Sequence, residues 1–184
     1  MKAILFATGN DRKLGEAKLA CDLFKIKVTQ VTLAIDEIQS HDPVQISRHK
    51  ADEAFRLVGQ PVVITDTSWN FPALRGFPGG YMRDVAEWFT EDNFLNLMRG
   101  EQDRRVSFTE TITYKDSSQT KVFSKEFWGV VVDKPRGGGI SIENVVEFEG
   151  YTLGERRDQG RFSHKAEDYI WYAFAEWFST QGET

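Results

Sequence analysis

The chain has 184 residues, of which 40% are hydrophobic and 28% are charged, so it is long enough to bury a core and differs in composition from disordered proteins. Its net charge of −5 argues against nucleic-acid binding, and its single cysteine excludes an internal disulfide. No apolar run approaches the roughly 20 residues of a membrane-spanning helix, and the first run is too short for a signal peptide. We therefore expect a cytoplasmic protein with no membrane or nucleic-acid partner.

The N-terminal third of the chain alternates short apolar runs with helical patterns. An apolar run over residues 2–7 stops at a Thr-Gly-Asn turn, and the apolar positions that follow share one face of a helix. A second run covers residues 27–32. A helix begins at the Asp-Pro pair of residues 42–43 and ends at Gly59, and residues 61–64 form a third apolar run. This order is typical of α/β proteins.

The middle of the chain has the two-residue periodicity of β-strands. Apolar side chains alternate between residues 106 and 114, and an Asp-Ser-Ser turn at residues 116–118 precedes a second run, which predicts a long β-hairpin. Residues 165–178 predict an amphipathic helix. Since there is no repeat or linker, we expect one α/β domain over residues 1–184, with a mixed twisted sheet, flanking helices and a protruding hairpin.

The first candidate site lies where the first strand leads into the first helix. Free amides and the helix dipole favour an anion there, and Gly9, between Thr8 and Asn10, lets the backbone approach it closely. Lys13, in the first helical turn, reaches a phosphate from this position. The alternative is an ordinary capped helix with solvated charges.

A second candidate site is carboxylate-based. Asp66 follows the third apolar run, at the edge of an α/β sheet where ligands gather. Glu37, in the loop after the second strand, offers another carboxylate, and Mg²⁺ is held by one or two carboxylates plus substrate phosphates. The alternative is that Asp66 only forms a turn and that Glu37 faces water.

Three other segments combine glycines or basic residues with turns. Residues 74–81 indicate a fixed turn, and residues 135–139 indicate either a loop that approaches phosphate or a simple glycine turn. His164 and Lys165 begin the last predicted helix, where they face a ligand or simply solvent.

Taken together and in order, these motifs resemble the inosine/xanthosine triphosphate pyrophosphatase family almost from end to end. The shared motifs, in chain order, are Thr8-Gly9-Asn10-x-x-Lys13-x-x-Glu16, Asp36-Glu37-Ile38-Gln39, Lys50-Ala51, Asp66-Thr67, residues 73–81, Arg104-Arg105-x-x-Phe108, Phe127-x-Gly129, Pro135-Arg136-Gly137, Thr152-Leu153-Gly154-Glu155 and Ser163-His164.

The resemblance implies an elongated mixed sheet with two lobes around a cleft, a homodimer, and Mg²⁺-assisted hydrolysis of non-standard nucleoside triphosphates to monophosphate and pyrophosphate. It implies that Asp66 binds metal and acts as the base. The remaining roles carried over from the family are a metal ligand at Glu37, phosphate contacts by Lys13 and Lys50, with Lys13 also catalytic, and substrate contacts by Thr8, Gly9, Asn10, Thr67, Glu143, His164 and Lys165.

The chain departs from the family pattern at three places. Thr65 stands where the family has the first of two adjacent acids. Residues 139–144 lack the family's aromatic ring that stacks on the purine, a contact of roughly 1–3 kcal/mol in proteins that bind single-stranded nucleic acid. Gln159 replaces a lysine, and Lys165 replaces an arginine that offers two-pronged hydrogen bonding. Two alternatives therefore stay open, a silent nucleotide-binding module and a pyrophosphatase for another modified nucleotide.

Overall fold

A computed structural model of the protein describes residues 2–38, 40–159 and 166–182. The described residues form strands and helices in the alternation that the sequence predicts. The helices are α1 (Asp11–Leu23), α2 (Pro43–Val58), α3 (Met82–Trp88), α4 (Glu91–Leu97), α5 (Ser141–Val145), α6 (Leu153–Asp158) and α7 (Ile170–Thr180). The strands are β1 (Ala3–Ala7), β2 (Lys27–Val31), β3 (Val62–Phe71), β4 (Phe77–Gly79), β5 (Arg105–Lys115), β6 (Thr120–Val131), β7 (Val146–Phe148) and β8 (Tyr151–Thr152).

Within the described residues, these eight strands form one mixed sheet in the order β2-β1-β3-β5-β6-β7-β8, with β4 paired to β3. Strand β1 pairs in parallel with both β2 and β3, and the last residue pair with β3 joins Ala7 to Ile64. Strands β5 and β6 are neighbours, as expected for the predicted hairpin. The α/β class and the mixed sheet flanked by helices are confirmed.

The chain divides into two compact units. The first comprises the described residues of Met1–Asp66, Glu110–Lys125 and His164–Thr184, and the second comprises those of Thr67–Thr109 and Glu126–Ser163. The assignment of residues 1–184 to a single domain stays a prediction.

In the first unit, helices cover both faces of the strands. Val63 lies in a core cluster with residues of α1 and α7, whereas its neighbours Val62 and Ile64 pack against Ala51 and Ala54 of α2. Because successive side chains of a strand point to opposite faces, α1 and α7 lie on one face of β3 and α2 lies on the other. We refer to these as the α1 face and the α2 face.

Local capping fixes where the first two helices begin and end. The Asn10 side chain accepts a hydrogen bond from the Lys13 backbone N–H at the start of α1. Asp42 caps α2 in the same way through Val44, and Gly59 ends α2 in the left-handed region with φ 66°. A side-chain acceptor satisfies an amide that the helix leaves free, and glycine adopts positive φ without strain. The predicted start and end of α2 are confirmed.

Two predicted boundaries differ from the structure. The last helix begins at Ile170 rather than residue 165, because Tyr169 has an extended backbone and a 3₁₀ turn, Ala166–Asp168, precedes it. Strand β3 continues beyond residue 64 to Phe71; β5 lies beside it, and its last three residues pair with β4. Asp66 therefore lies inside a strand, just beyond the end of its pairing with β1, rather than at the strand end.

The β5–β6 turn is organised by Asp116. One carboxylate oxygen accepts hydrogen bonds from the backbone N–H groups of Ser118 and Gln119, at 2.7 and 2.8 Å, and the other accepts one from the Tyr114 hydroxyl at 2.8 Å. Burial alone acts to raise the pKa of Asp116, but these hydrogen bonds outweigh it and hold the pKa at about 2. The predicted turn is therefore a specific carboxylate-centred structure.

Replacing Asp116 with asparagine is expected to lower the free energy of unfolding by about 1–3 kcal/mol, because hydrogen bonds to a charged acceptor are lost. Since the folded-state pKa lies below the ordinary 3.8, the stabilisation is present above pH 4 and lost as pH falls toward 2. Urea unfolding between pH 2 and 7 measures both effects. Asp133→Asn, at a carboxylate 98% exposed, is the control and should behave as wild type. Equal stability of the Asp116 variant at pH 7 would contradict this account.

The second unit has its own aromatic core. Phe71 and Phe94 stack at a centroid distance of 6.1 Å, and Trp69 and Phe108 lie 5.2 Å apart. Phe148 makes an edge contact with Phe108 at 5.1 Å. These rings hold β3, β5 and β7 together within this unit.

Among the helices that the structure describes, none is long and apolar enough to cross a membrane.

Candidate functional site

The turn between β1 and α1 has the geometry expected of an anion site. Thr8 continues the sheet, because its backbone N–H donates to Val31, and its hydroxyl accepts from the backbone N–H of Asn10 at 3.1 Å. Gly9 and Asn10 are exposed, directly before the 13-residue helix α1. The Asn10 cap on Lys13 is also what an ordinary capped helix has, so the phosphate contact stays a prediction.

Lys13 extends from this turn into a charged environment. Burial lowers the pKa of Lys13, and the charges of Arg12 and Lys50 act in the same direction. Asp66 and Glu110 oppose this effect, and Asp66 contributes most among the charged groups. The ammonium of Lys13 is therefore electrostatically linked to the carboxylate that the sequence places at the centre of the site.

Lys50 joins the two predicted metal-binding carboxylates. Its Nζ lies 2.6 Å from Asp66 Oδ1 and 3.0 Å from Glu37 Oε1. The side chains of Lys50 and Asp66 are 14% and 12% exposed, whereas that of Glu37 is 45% exposed. Burial acts to lower the pKa of Lys50, but Asp66 and then Glu37 outweigh it, so the pKa is raised. Three residues from separate segments thus converge in the first unit.

Two threonine hydroxyls close to this cluster in sequence and fold are unsatisfied. Among the described residues, Thr65 Oγ1 and Thr111 Oγ1 are buried without a hydrogen-bond partner. Thr65 directly precedes Asp66, and Thr111 lies on β5, the neighbour of β3. Such atoms cost free energy unless something else satisfies them, so they mark places where a bound group would gain contacts.

In the second unit, the glycine-rich segment is a packed turn. The backbone N–H of Gly138 donates to Asp158, and that of Gly139 donates to the side chain of Asn144, both at 2.8 Å. Gly137 has φ 90°, and a Cβ there would lie 2.3 Å from the carbonyl carbon of Gly154. Because these amides already have acceptors, the geometry favours the turn alternative over a phosphate-binding loop.

Glu143 and Ile140 occupy the segment predicted to contact the base. Glu143 accepts hydrogen bonds from the Ile140 backbone N–H at 3.1 Å and from the Arg157 side chain at 2.8 Å. The Ile140 side chain is 48% exposed, whereas Ile142 is fully buried. Asn144, which the sequence did not single out, donates to Glu91 at 2.8 Å and thereby lowers the pKa of Glu91.

The predicted site residues thus fall into three groups. The first unit holds Thr8, Gly9, Asn10, Lys13, Glu37, Lys50 and Asp66, of which Lys50, Asp66 and Glu37 are in direct contact. Thr67 and Glu143 belong to the second unit. His164 and Lys165 lie outside the described residues, and their roles stay predictions.

Glu110 is a residue of this region that the motif analysis missed. Its signal was present in the sequence, because it interrupts the alternating apolar positions 106, 108, 112 and 114 with a charge. Among the described residues, no group of three or more His, Cys, Asp or Glu side chains is placed to hold a metal ion. The two predicted metal-binding carboxylates, Asp66 and Glu37, meet at Lys50.

The fold is that of solved Ham1 proteins. The HAM1 protein from Coxiella burnetii matches with a TM-score of 0.84 at 19% identity, covering 98% of this chain and 100% of that one. Residues 4–166 match the model of the Ham1 family, and the chain belongs to this family. The family membership predicted from the motifs is confirmed.

Curated relatives match over almost their full length. A protein of Methanosarcina acetivorans named dITP/XTP pyrophosphatase is 31% identical over 98% of this chain and 100% of its own. A Trypanosoma cruzi protein named inosine triphosphate pyrophosphatase 2 is 34% identical, covering 91% of this chain and 88% of its own.

Proposed function

We propose that the protein hydrolyses non-standard nucleoside triphosphates such as ITP, XTP and dITP to the monophosphate and pyrophosphate. This reaction removes such nucleotides from the cellular nucleotide pool. The observation that carries the proposal is the contact of Lys50 with Asp66 and Glu37 in a chain of the Ham1 family. Relatives named as dITP/XTP and inosine triphosphate pyrophosphatases support it.

The residues of the first unit suit this chemistry. The exposed turn before α1 offers backbone N–H groups to the triphosphate, and Lys13 and Lys50 neutralise charge on its oxygens. Asp66 orients a water and accepts its proton as the water oxygen attacks the α-phosphorus. The bond from that phosphorus to the bridging oxygen breaks, and pyrophosphate leaves with the electron pair.

The carboxylate pair also fits a divalent cation. Asp66 and Glu37 both reach one ammonium within 3.0 Å, so their oxygens are close enough to share a cation, and oxygen donors are those that Mg²⁺ prefers. When bound, Mg²⁺ supplies charge neutralisation at the phosphate oxygens. We assign Asp66 and Glu37 as its ligands. We further propose that the protein is a cytoplasmic enzyme with a single domain and that it forms a homodimer, as the family resemblance implies.

The segment predicted to contact the base is where this chain departs most from the family pattern. The run over residues 139–144 offers the exposed Ile140 instead of an aromatic ring, and the Glu143 carboxylate is already paired with Arg157. An aliphatic contact lacks the stacking energy of an aromatic ring. A carboxylate that is already paired contributes less to discrimination between bases than a free carboxylate does. We therefore expect weaker discrimination among bases while triphosphate cleavage is retained.

Pyrophosphate release by the purified protein tests both points. With Mg²⁺, ITP, XTP and dITP are expected to be cleaved with higher kcat/KM than ATP, GTP, CTP and UTP. The product has to be pyrophosphate rather than orthophosphate, which separates this reaction from that of a contaminating phosphatase. Saturable binding without turnover would favour a silent nucleotide-binding module, and preference for another nucleotide would favour the alternative substrate.

A further inference from the structure

Glu110 is an acidic residue on the face of strand β5 that packs against the core. Ile112 and Tyr114, at the next alternate positions, are buried in the core formed with α1 and α7. Because side chains alternate across a strand, Glu110 lies on the same α1 face of the sheet. It is partly buried there, beside the first turns of α1.

Asp66 lies on the opposite face of the neighbouring strand. The contact of Asp66 with Lys50 of α2 places Asp66 on the α2 face. On β5, the hydrogen bond between Ser47 of α2 and Thr113 places the odd-numbered positions on that same face. The charge of Lys13 is nevertheless affected by both Asp66 and Glu110. Lys13 therefore has one carboxylate from each face of the sheet acting on it.

The surroundings of Glu110 do not satisfy its carboxylate. Among the described residues, it has no hydrogen bond or ion pair, and Arg12, the nearby guanidinium, is paired with Glu16 at 2.5 Å. Burial and then the charge of Glu16 raise the pKa of Glu110, although Arg12, Lys13 and Lys125 oppose this. An enclosed carboxylate without a partner costs folding free energy, and proteins keep such groups mainly at functional sites.

A triphosphate at Lys13 changes the balance of charge around Glu110. Lys13 would then neutralise phosphate oxygens, and the polyanion would repel the carboxylate in a partly enclosed site. A divalent cation between the phosphates and Glu110 removes this repulsion and supplies the missing partner. Thr65, whose buried hydroxyl lacks a hydrogen bond, lies on the same face of β3, because it alternates with Val63.

We propose that Glu110 binds a second divalent cation, which lies on the α1 face beside a triphosphate at Lys13 and is separate from the cation assigned to Asp66 and Glu37, so that cation and triphosphate bind together. This role rests on the proposed function, because it presupposes a triphosphate at the start of α1. Glu110 thereby adds to the site a carboxylate that belongs to none of the shared motifs.

Calorimetric binding of the α,β-methylene analogue of ITP, which is not cleaved at that bond, tests the proposal without turnover. In wild type, Mn²⁺ is expected to tighten binding relative to EDTA. In Glu110→Gln, this gain should fall by roughly tenfold, a typical size for coupling between two ligands, and binding in EDTA should be tighter than in wild type. Electron paramagnetic resonance of free Mn²⁺ should show the matching loss of cation affinity.

Two further variants separate a functional from a structural role. Adding Thr65→Asp to Glu110→Gln should restore the Mn²⁺ gain, since it returns a carboxylate to the same face of the neighbouring strand. Glu53→Gln, at a carboxylate paired with Arg56 at 2.8 Å, is the control and should leave the gain unchanged. Without ligands, Glu110→Gln should not lower the melting temperature, because no partner is lost.

The outcomes distinguish this proposal from the one on which it rests. If wild type binds the analogue neither with Mn²⁺ nor without it, the proposed function is wrong. If wild type shows the Mn²⁺ gain and Glu110→Gln retains it in full, only the role of Glu110 is wrong. A lower melting temperature with an unchanged Mn²⁺ gain would assign Glu110 to the stability of the fold instead.

Discussion

Replacing Asp66 with asparagine is expected to reduce kcat for pyrophosphate release by about 10²–10⁴-fold, the usual contribution of a positioned proton acceptor. Asparagine keeps the shape of the side chain but neither takes the proton of the attacking water nor carries charge toward a cation. The ion pair with Lys50 at 2.6 Å also becomes a neutral hydrogen bond at best, so Glu37 is left as the carboxylate paired with the ammonium. Steady-state pyrophosphate release with the best substrate measures the effect.

The matched control is Asp52→Asn. Asp52 also pairs with a lysine in the first unit, Lys115 at 3.3 Å, but its side chain is 58% exposed. Its replacement should leave pyrophosphate release unchanged. Circular dichroism and thermal unfolding of both variants exclude loss of fold as the cause. Wild-type turnover by a folded Asp66→Asn protein would remove Asp66 from the mechanism.

Gly137→Ala is expected to have the largest effect on stability, lowering the free energy of unfolding by about 2–5 kcal/mol. Gly137 has φ 90°, and an added Cβ would lie 2.3 Å from the backbone nitrogen of Glu155 and from the carbonyl carbon of Gly154. Backbone atoms move less readily than a flexible side chain, so the turn has to shift. Denaturant unfolding of the purified variant gives the size of the loss.

Gly150→Ala separates the two causes. Gly150 also has positive φ, at 86°, but nothing lies within 4 Å of an added Cβ. It should therefore show only the cost of the left-handed backbone, about 1–2 kcal/mol. Equal losses in the two variants would mean that the close approach of residues 137 and 154 contributes nothing to stability.

The features that were predictable from the sequence are local ones. Asn10 and Asp42 begin helices because a side-chain acceptor next to free amides is sufficient, whatever the rest of the chain does. The hairpin follows from alternating apolar residues and from Asp116, whose bonds span only a few residues. Such signals involve neighbours in the chain, and the sequence shows neighbours directly.

The features that were not predictable depend on segments far apart in the chain. The length of β3 depends on pairing with β5 and β4, which the apolar run over residues 61–64 does not show. The sequence left two alternatives at residues 135–139, a loop that approaches phosphate or a simple turn, and the acceptors from Asn144 and Asp158 that favour the turn could not be inferred from the glycine run. Glu110 gains its importance only when β5 is placed against α1.

The contact of Lys50 with Asp66 and Glu37 explains how two carboxylates stay close together in this site. Two neighbouring carboxylates repel each other unless a positive charge lies between them. The lysine is a counterion built into the chain, and its ammonium holds the two carboxylates together. The proposed substrates are rare nucleotides, so a site whose two carboxylates are held by a side chain of the protein itself suits the proposed function.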